Sequence, residues 1–193
     1  MQQVPSTATN LDPTSALILQ KYGLERSNLW PDAQKAFLAK NQKCAVCPSS
    51  LRLQVHHVYP FHLCHLVYRG DLELDERNFM VLCEENVNDH HLLLGHLGSF
   101  VSYNTGVRNG IIAFAGSLPS LAAADIKSNQ SWQKLMRVRP LPWEQWSHQQ
   151  KLDFRKLLDD TFSFIPTQTF KAPYPFLDDG TVNQQAVQTT YRS

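Results

Sequence analysis

Histidine and cysteine gather in three short blocks of this chain and in one pair upstream of them. The blocks are Val55-His56-His57-Val58-Tyr59-Pro60, Asn78-Phe79-Met80-Val81-Leu82-Cys83, and Asp89-His90-His91-Leu92-Leu93-Leu94-Gly95-His96. The pair is Cys44 and Cys47, spaced Cys-x-x-Cys. Thiolates and imidazoles bind transition metals, and imidazole also moves protons near neutral pH. Together these groups suit metal-assisted hydrolysis. A phosphodiester, for example, needs a water that loses a proton and a cation on the phosphate and leaving oxygen. In that scheme His57 is the base, His56 and His91 bind the cation, and Asn78 fixes a loop or orients the base. Cys44, Cys47, Cys83 and His90 form a second donor set, suited to a structural zinc ion.

The elements that must position these residues are short. Leu51 to Val58 alternates apolar and polar residues and predicts a strand, with His56 and His57 on opposite faces. Pro60 ends it. Residues 61–76 read as a long connection with a turn at Arg69-Gly70-Asp71. Asn78 to Leu82 predicts a second strand. Asp89 caps a helix starting near His90, which Gly95 weakens or ends. Two strands and one helix have little core, so a zinc ion tying hairpin to helix would matter for folding.

The flanks read as follows. Residues 1–12 are polar and read as disordered, and Pro13 to Tyr22 as a short helix stopped by Gly23. Trp30-Pro31-Asp32 opens a second helix through Lys40, which leads into the Cys-x-x-Cys knuckle. Beyond His96 there is an apolar patch, Ile111 to Ala115, and a small helical piece from Leu121 to Ile126. Trp143 to Asp160 reads as one amphipathic helix, and the stretch after Ser163 as an extended tail. The division expected is 1–26, arm and short helix; 27–116, the metal-bearing domain; 117–162, a helical extension; and 163–193, the tail.

Composition sets outer limits. The chain is 42% hydrophobic and 18% charged, as in a soluble globular protein. No apolar run reaches the ~20 residues of a membrane-spanning helix, and the start lacks the character of a secretory signal. A cytoplasmic setting without membrane contact is therefore expected, and it favours metal binding over disulfides for the cysteines. Net charge is only +1. From Lys127 to Lys156, however, Lys127, Lys134, Arg137, Arg139, Lys151, Arg155 and Lys156 face only Glu144 and Asp153. That stretch is either a solvated helix face or a patch that tracks phosphates. His62, His65 and His148 read as surface or structural residues, and Cys64 as a buried thiol.

The four motifs in this order resemble the HNH endonucleases with a zinc knuckle, over roughly Trp30 to Asn104. The resemblance implies an α+β fold: a small beta-beta-alpha-metal (HNH, or His-Me finger) core with flanking helices. It implies a metal-dependent endonuclease acting on DNA. His56 and His91 would bind the catalytic cation, Mg²⁺ or another divalent ion, His57 would be the general base, and Asn78 the middle residue of the motif. Zn²⁺ would sit on Cys44, Cys47, Cys83 and His90. That last ligand is often cysteine, but a mixed Cys₃His site is chemically ordinary. His96 would be the trailing histidine. It lies five residues after His91, about 140° around a regular helix, so it either bends back beyond Gly95 or is not a ligand. Two other readings stay open: a zinc-stabilised nucleic-acid-binding module without catalysis, and an interaction domain that meets a protein partner or a second copy through residues 143–160.

Overall fold

The computed structural model describes residues 13–109 and 122–162. Helix α1 spans Pro13–Tyr22, with Gly23 following it at φ 66°. Helix α2 spans Trp30–Lys40, with proline in its first turn. Strands β1, Leu53–His57, and β2, Phe79–Cys83, pair antiparallel. Opposite residues include Leu53 and Cys83, Val55 and Val81, and His57 and Phe79. The fold is thus mixed, with a small two-stranded sheet among helices. β1 begins later than its alternation suggests because Arg52 sits at φ 47°, a left-handed backbone that a strand cannot include.

Residues 61–76 are ordered structure rather than a plain connection. Helix α3 spans Phe61–Leu66, and single 3₁₀ turns follow at Gly70–Glu73 and Glu76–Asn78. Leu63, Leu66 and Leu72 are buried there, so the segment supplies core. Its fully buried Arg69 pairs with Asp71 and with Asp159 on the C-terminal helix. Asn78 closes the segment. Its carboxamide accepts from Tyr59 N–H at 2.8 Å and donates to the carbonyls of Tyr59 and Leu72 at 2.9 and 3.0 Å.

After β2 the expected helix is a single π turn, His91–Gly95. Asp89 caps it, its carboxylate accepting from Leu92 N–H. His96 N–H then donates to His91 C=O at 3.1 Å, a five-residue step. Leu97 and Gly98, at φ 50° and 77°, turn the chain away, and Gly98 N–H reaches back to Leu92 C=O.

The C-terminal part contains α4, Ala123–Ser128, α5, Gln130–Arg137, and α6, His148–Thr161. Trp143 to Asp160 is therefore not one helix. A 3₁₀ turn at Trp143–Gln145 comes first, and a capping box between Ser147 and Gln150 restarts the chain as α6. The patch at Ile111 to Ala115, the first twelve residues and the tail lie outside the described residues. Ile18, Leu24, Leu66, Leu82, Trp132, Phe154 and Leu158 belong to one buried cluster. Trp143, Phe154 and Leu158 of residues 143–160 are thus packed within the chain, while Leu157 is exposed. Among the described residues no helix is long and apolar enough to cross a membrane.

The basic stretch is only partly available. Lys151 is buried beside the Trp143 ring, Arg155 donates to the carbonyls of Val67 and Tyr68, and Lys156 pairs with Asp160. Lys127, Lys134, Arg137 and Arg139 remain on the surface.

Candidate metal centre

Two donor clusters meet at the junction of β2 and the π turn. The first is Cys44, Cys47, Cys83 and His90, whose ligand atoms all lie within 4.8 Å of one another. Cys44 Sγ is 3.5 Å and Cys83 Sγ 3.3 Å from His90 Nδ1, while the Cys47 and Cys83 sulfurs are 3.8 Å apart. Bonds of ~2.3 Å to sulfur and ~2.0 Å to nitrogen around a tetrahedral zinc ion would set such atoms about 3.5 to 3.8 Å apart. The cluster is a candidate metal site compatible with zinc, on the four residues expected.

Its electrostatics also call for a cation. Burial pushes the Cys44 thiol up, but His90 and the N–H of Val46 outweigh this and bring it to about 6. Burial raises Cys83 to about 12, with the neighbouring Cys44 and Cys47 adding to the effect. Burial and the Cys44 charge also raise Cys47. One thiolate forms easily and opposes the next; a divalent ion would remove that opposition.

The second cluster is His56, His91 and His96. His91 and His96 meet Nε2 to Nε2 at 3.3 Å. Tetrahedral bonds of ~2.0 Å place two nitrogens about 3.3 Å apart. The π turn answers the spacing problem: its extra residue brings His96 back over His91, where a regular helix would separate them. His56 comes from β1, its ring centre 5.3 Å from that of His91 and 5.0 Å from that of His96. His56 Nε2 is buried with no hydrogen-bond partner among the described residues, an orphaned atom that a metal would satisfy.

Neighbours fix the tautomers. His91 Nδ1–H donates to Glu84 at 2.7 Å, and His96 Nδ1–H to Ser102 C=O at 2.7 Å. Both Nε2 lone pairs are thereby left for a metal. The His91 hydrogen bond holds the Glu84 carboxyl below its ordinary range. Burial holds His56 well below the usual imidazole range and His96 at about 4, with neighbouring imidazoles adding to both shifts. His56 and His96 are therefore neutral at physiological pH, the form that binds metal.

The two clusters share a wall. Cys83 and Glu84 are adjacent, as are His90 and His91, and in each pair the first residue serves the sulfur site and the second the histidine site. Sequence reasoning misses both Glu84 and the role of Gly95. A Cβ on Gly95 would lie 2.8 Å from His56 Cε1 and 2.9 Å from Nδ1, so the imidazole rests directly on the turn's backbone. Glu84→Ala is expected to weaken metal binding at the histidine site roughly 10- to 100-fold. The sulfur-bound zinc should be retained, as a chelator competition with both sites monitored would show.

His57 lies apart from both clusters. It points to the other face of β1, its ring 4.4 Å from Trp30 and 5.1 Å from Phe79 between centres. Its Nε2–H donates to Glu73 C=O at 2.9 Å, and among the described residues Nδ1 has no hydrogen-bond partner. That tautomer leaves Nδ1 as a lone pair. Burial, with the Arg26 charge adding, lowers His57 to about 3. Asn78 does not touch His57. It holds Leu72, the residue before Glu73, and so places the carbonyl that orients His57.

Cys64 and His65 belong to the buried framework instead. Cys64 is wholly buried and donates to Tyr59 C=O, while buried His65 pairs with Glu73 at 2.8 Å. His148 is exposed. Comparison with protein-family models, with curated proteins and with solved structures gave no match.

Proposed function

We propose that this protein is a metal-dependent endonuclease of the HNH type, hydrolysing phosphodiester bonds of DNA. The observation that carries this reading is the three-histidine cluster with the orphaned Nε2 of His56, set beside the sulfur site. A divalent cation on His56, His91 and His96 would supply positive charge to the phosphate and to the departing oxygen. Three imidazoles suit zinc, nickel or another transition metal better than Mg²⁺, which prefers oxygen ligands.

The chain's own residues do the rest. Glu73 C=O holds His57 with Nδ1 free to take a proton from water as that water's oxygen bonds to phosphorus and the leaving P–O bond breaks. His56 and His57 lie on opposite faces of β1, so a phosphate served by both must straddle the outer edge of that strand, which pairs with no further strand among the described residues. Asn78 acts at one remove, by fixing the segment that carries Glu73.

His57→Ala is the experiment. Plasmid nicking in added divalent metal should fall roughly 10²- to 10⁴-fold, the usual worth of a general base, with both metals still bound. Unchanged nicking would remove the base assignment. A second reading, a zinc-stabilised nucleic-acid-binding module without catalysis, is favoured by the burial of His57 between Trp30 and Phe79. It predicts DNA retention without nicking in any metal.

A further inference from the structure

Beside the π turn, with none of its histidines in the lining, is an open groove of about 670 Å³. Leu92, Leu93 and Gly98 form one wall, and α4 and α5 form the other. Its floor includes Trp132, whose indole N–H donates to Leu93 C=O at 2.9 Å and so fixes α5 against the turn. Its lining also carries three cations, Lys127, Arg137 and Arg139, all exposed. Among the described residues none of the three has a carboxylate partner within ion-pair distance. Asp89 is the one acid in the lining, and its carboxylate is engaged as the cap of the π turn.

We infer that this groove binds the sugar-phosphate backbone of DNA next to the bond that is cut. The inference rests on the nuclease reading and adds a path for the substrate. Three cations with no opposing free carboxylate complement a polyanion, and they stand out in a chain whose net charge is only +1. Arg139 is already held in place, one Nη donating to Leu97 C=O at 2.9 Å, so its other donors meet a phosphate with less ordering cost. Continuity with the metal cluster supplies the register. Leu92 and Leu93 lie between His91 and His96 in the same turn, so a backbone in the groove passes the turn that carries the histidine site. With Trp132 only 3% exposed, the floor offers no aromatic face for stacking bases. The groove therefore grips phosphates and carries no sequence preference.

The test is binding of a labelled duplex to the metal-loaded protein across a salt series. It compares the wild type with Lys127→Gln/Arg137→Gln/Arg139→Gln and with a control, Lys35→Gln/Lys40→Gln/Lys156→Gln, that removes the same formal charge elsewhere. A double variant, Lys127→Gln/Arg137→Gln, leaves the Arg139 hydrogen bond to Leu97 intact should the triple variant fold poorly. The groove variants are expected to bind at least tenfold more weakly at low salt. The dependence of log K on log salt should flatten by about 0.9 for each phosphate no longer neutralised, and the control should change far less. Groove variants that match the control, beside a wild type that binds and nicks, would overturn the groove and leave the nuclease reading standing. A wild type that neither binds nor nicks in any divalent metal would overturn both.

Discussion

Cys83→Ser is expected to unfold the protein rather than merely trim its metal content. The residue ends β2, is fully buried, and its sulfur faces both Cys47 and His90. Zinc binding contributes roughly 10–16 kcal/mol to the folding of small zinc-dependent units. A domain's whole net stability is roughly 5–15 kcal/mol. A two-stranded sheet is marginal by itself, and here the Cys44–Cys47 knuckle, the end of β2 and the start of the π turn converge on the one cluster. Loss of one thiolate should therefore remove several kcal/mol and abolish a cooperative melt. A strong chelator should act on the wild type in the same direction. A Cys83→Ser protein that melts within a few degrees of the wild type would show that the cluster does not tie these elements together.

Gly95→Ala should damage the protein where the general rule predicts a gain. Replacing glycine by alanine inside a helical turn ordinarily stabilises by about 0.4–1 kcal/mol. At Gly95 the new methyl would sit 2.8 Å from the His56 ring, which is itself buried. Overpacking of this kind costs roughly 1–3 kcal/mol. The displaced imidazole is also one of three that must converge, so metal affinity at the histidine site should fall at least tenfold while the sulfur-bound zinc stays. Thermal melting together with a metal titration would check both parts. A stabilised variant with unchanged metal affinity would mean that His56 does not depend on the bare backbone of Gly95.

The sulfur site is readable in the sequence because its chemistry is local. Cys-x-x-Cys makes a knuckle by itself, and Cys83 and His90 sit at the ends of elements whose pattern is plain. The histidine site is readable only in part. His56 and His91 follow from the strand and the capped turn, but the place of His96 depends on a π turn. Periodicity cannot show such a turn, because a single five-residue step leaves no repeating signal. Its causes lie in tertiary packing: the His56 ring against Gly95, and the left-handed exit through Leu97 and Gly98. Glu84 reads in sequence as one acid in a polar loop, since only its 2.7 Å hydrogen bond with His91 gives it a role. Residues 61–76 are illegible for a related reason. Their core is built by a six-residue helix and two 3₁₀ turns, pieces too short to print a pattern. The split of residues 143–160 does leave a signal, in Ser147 and Gln150, whose spacing is that of a capping box.

The two clusters also suggest an order of dependence. Cys83 with Glu84, and His90 with His91, join the two clusters through adjacent residues, so forming the sulfur site is expected to help hold the histidine cluster in shape. The reverse need not hold, because Glu84, Ser102 and Gly95 position the histidine donors before any metal arrives.

The most direct measurement is plasmid nicking by protein loaded with zinc at the sulfur site, with the histidine site emptied by mild chelation, titrated with Zn²⁺, Ni²⁺, Mn²⁺ and Mg²⁺ beside His96→Ala. Nicking should rise to saturation at one added transition-metal ion per chain, respond less to Mg²⁺, and be lost in the variant although its fold is unchanged. Wild-type protein that remains inert in every metal, or a His96→Ala variant that nicks as well as the wild type, would contradict that expectation.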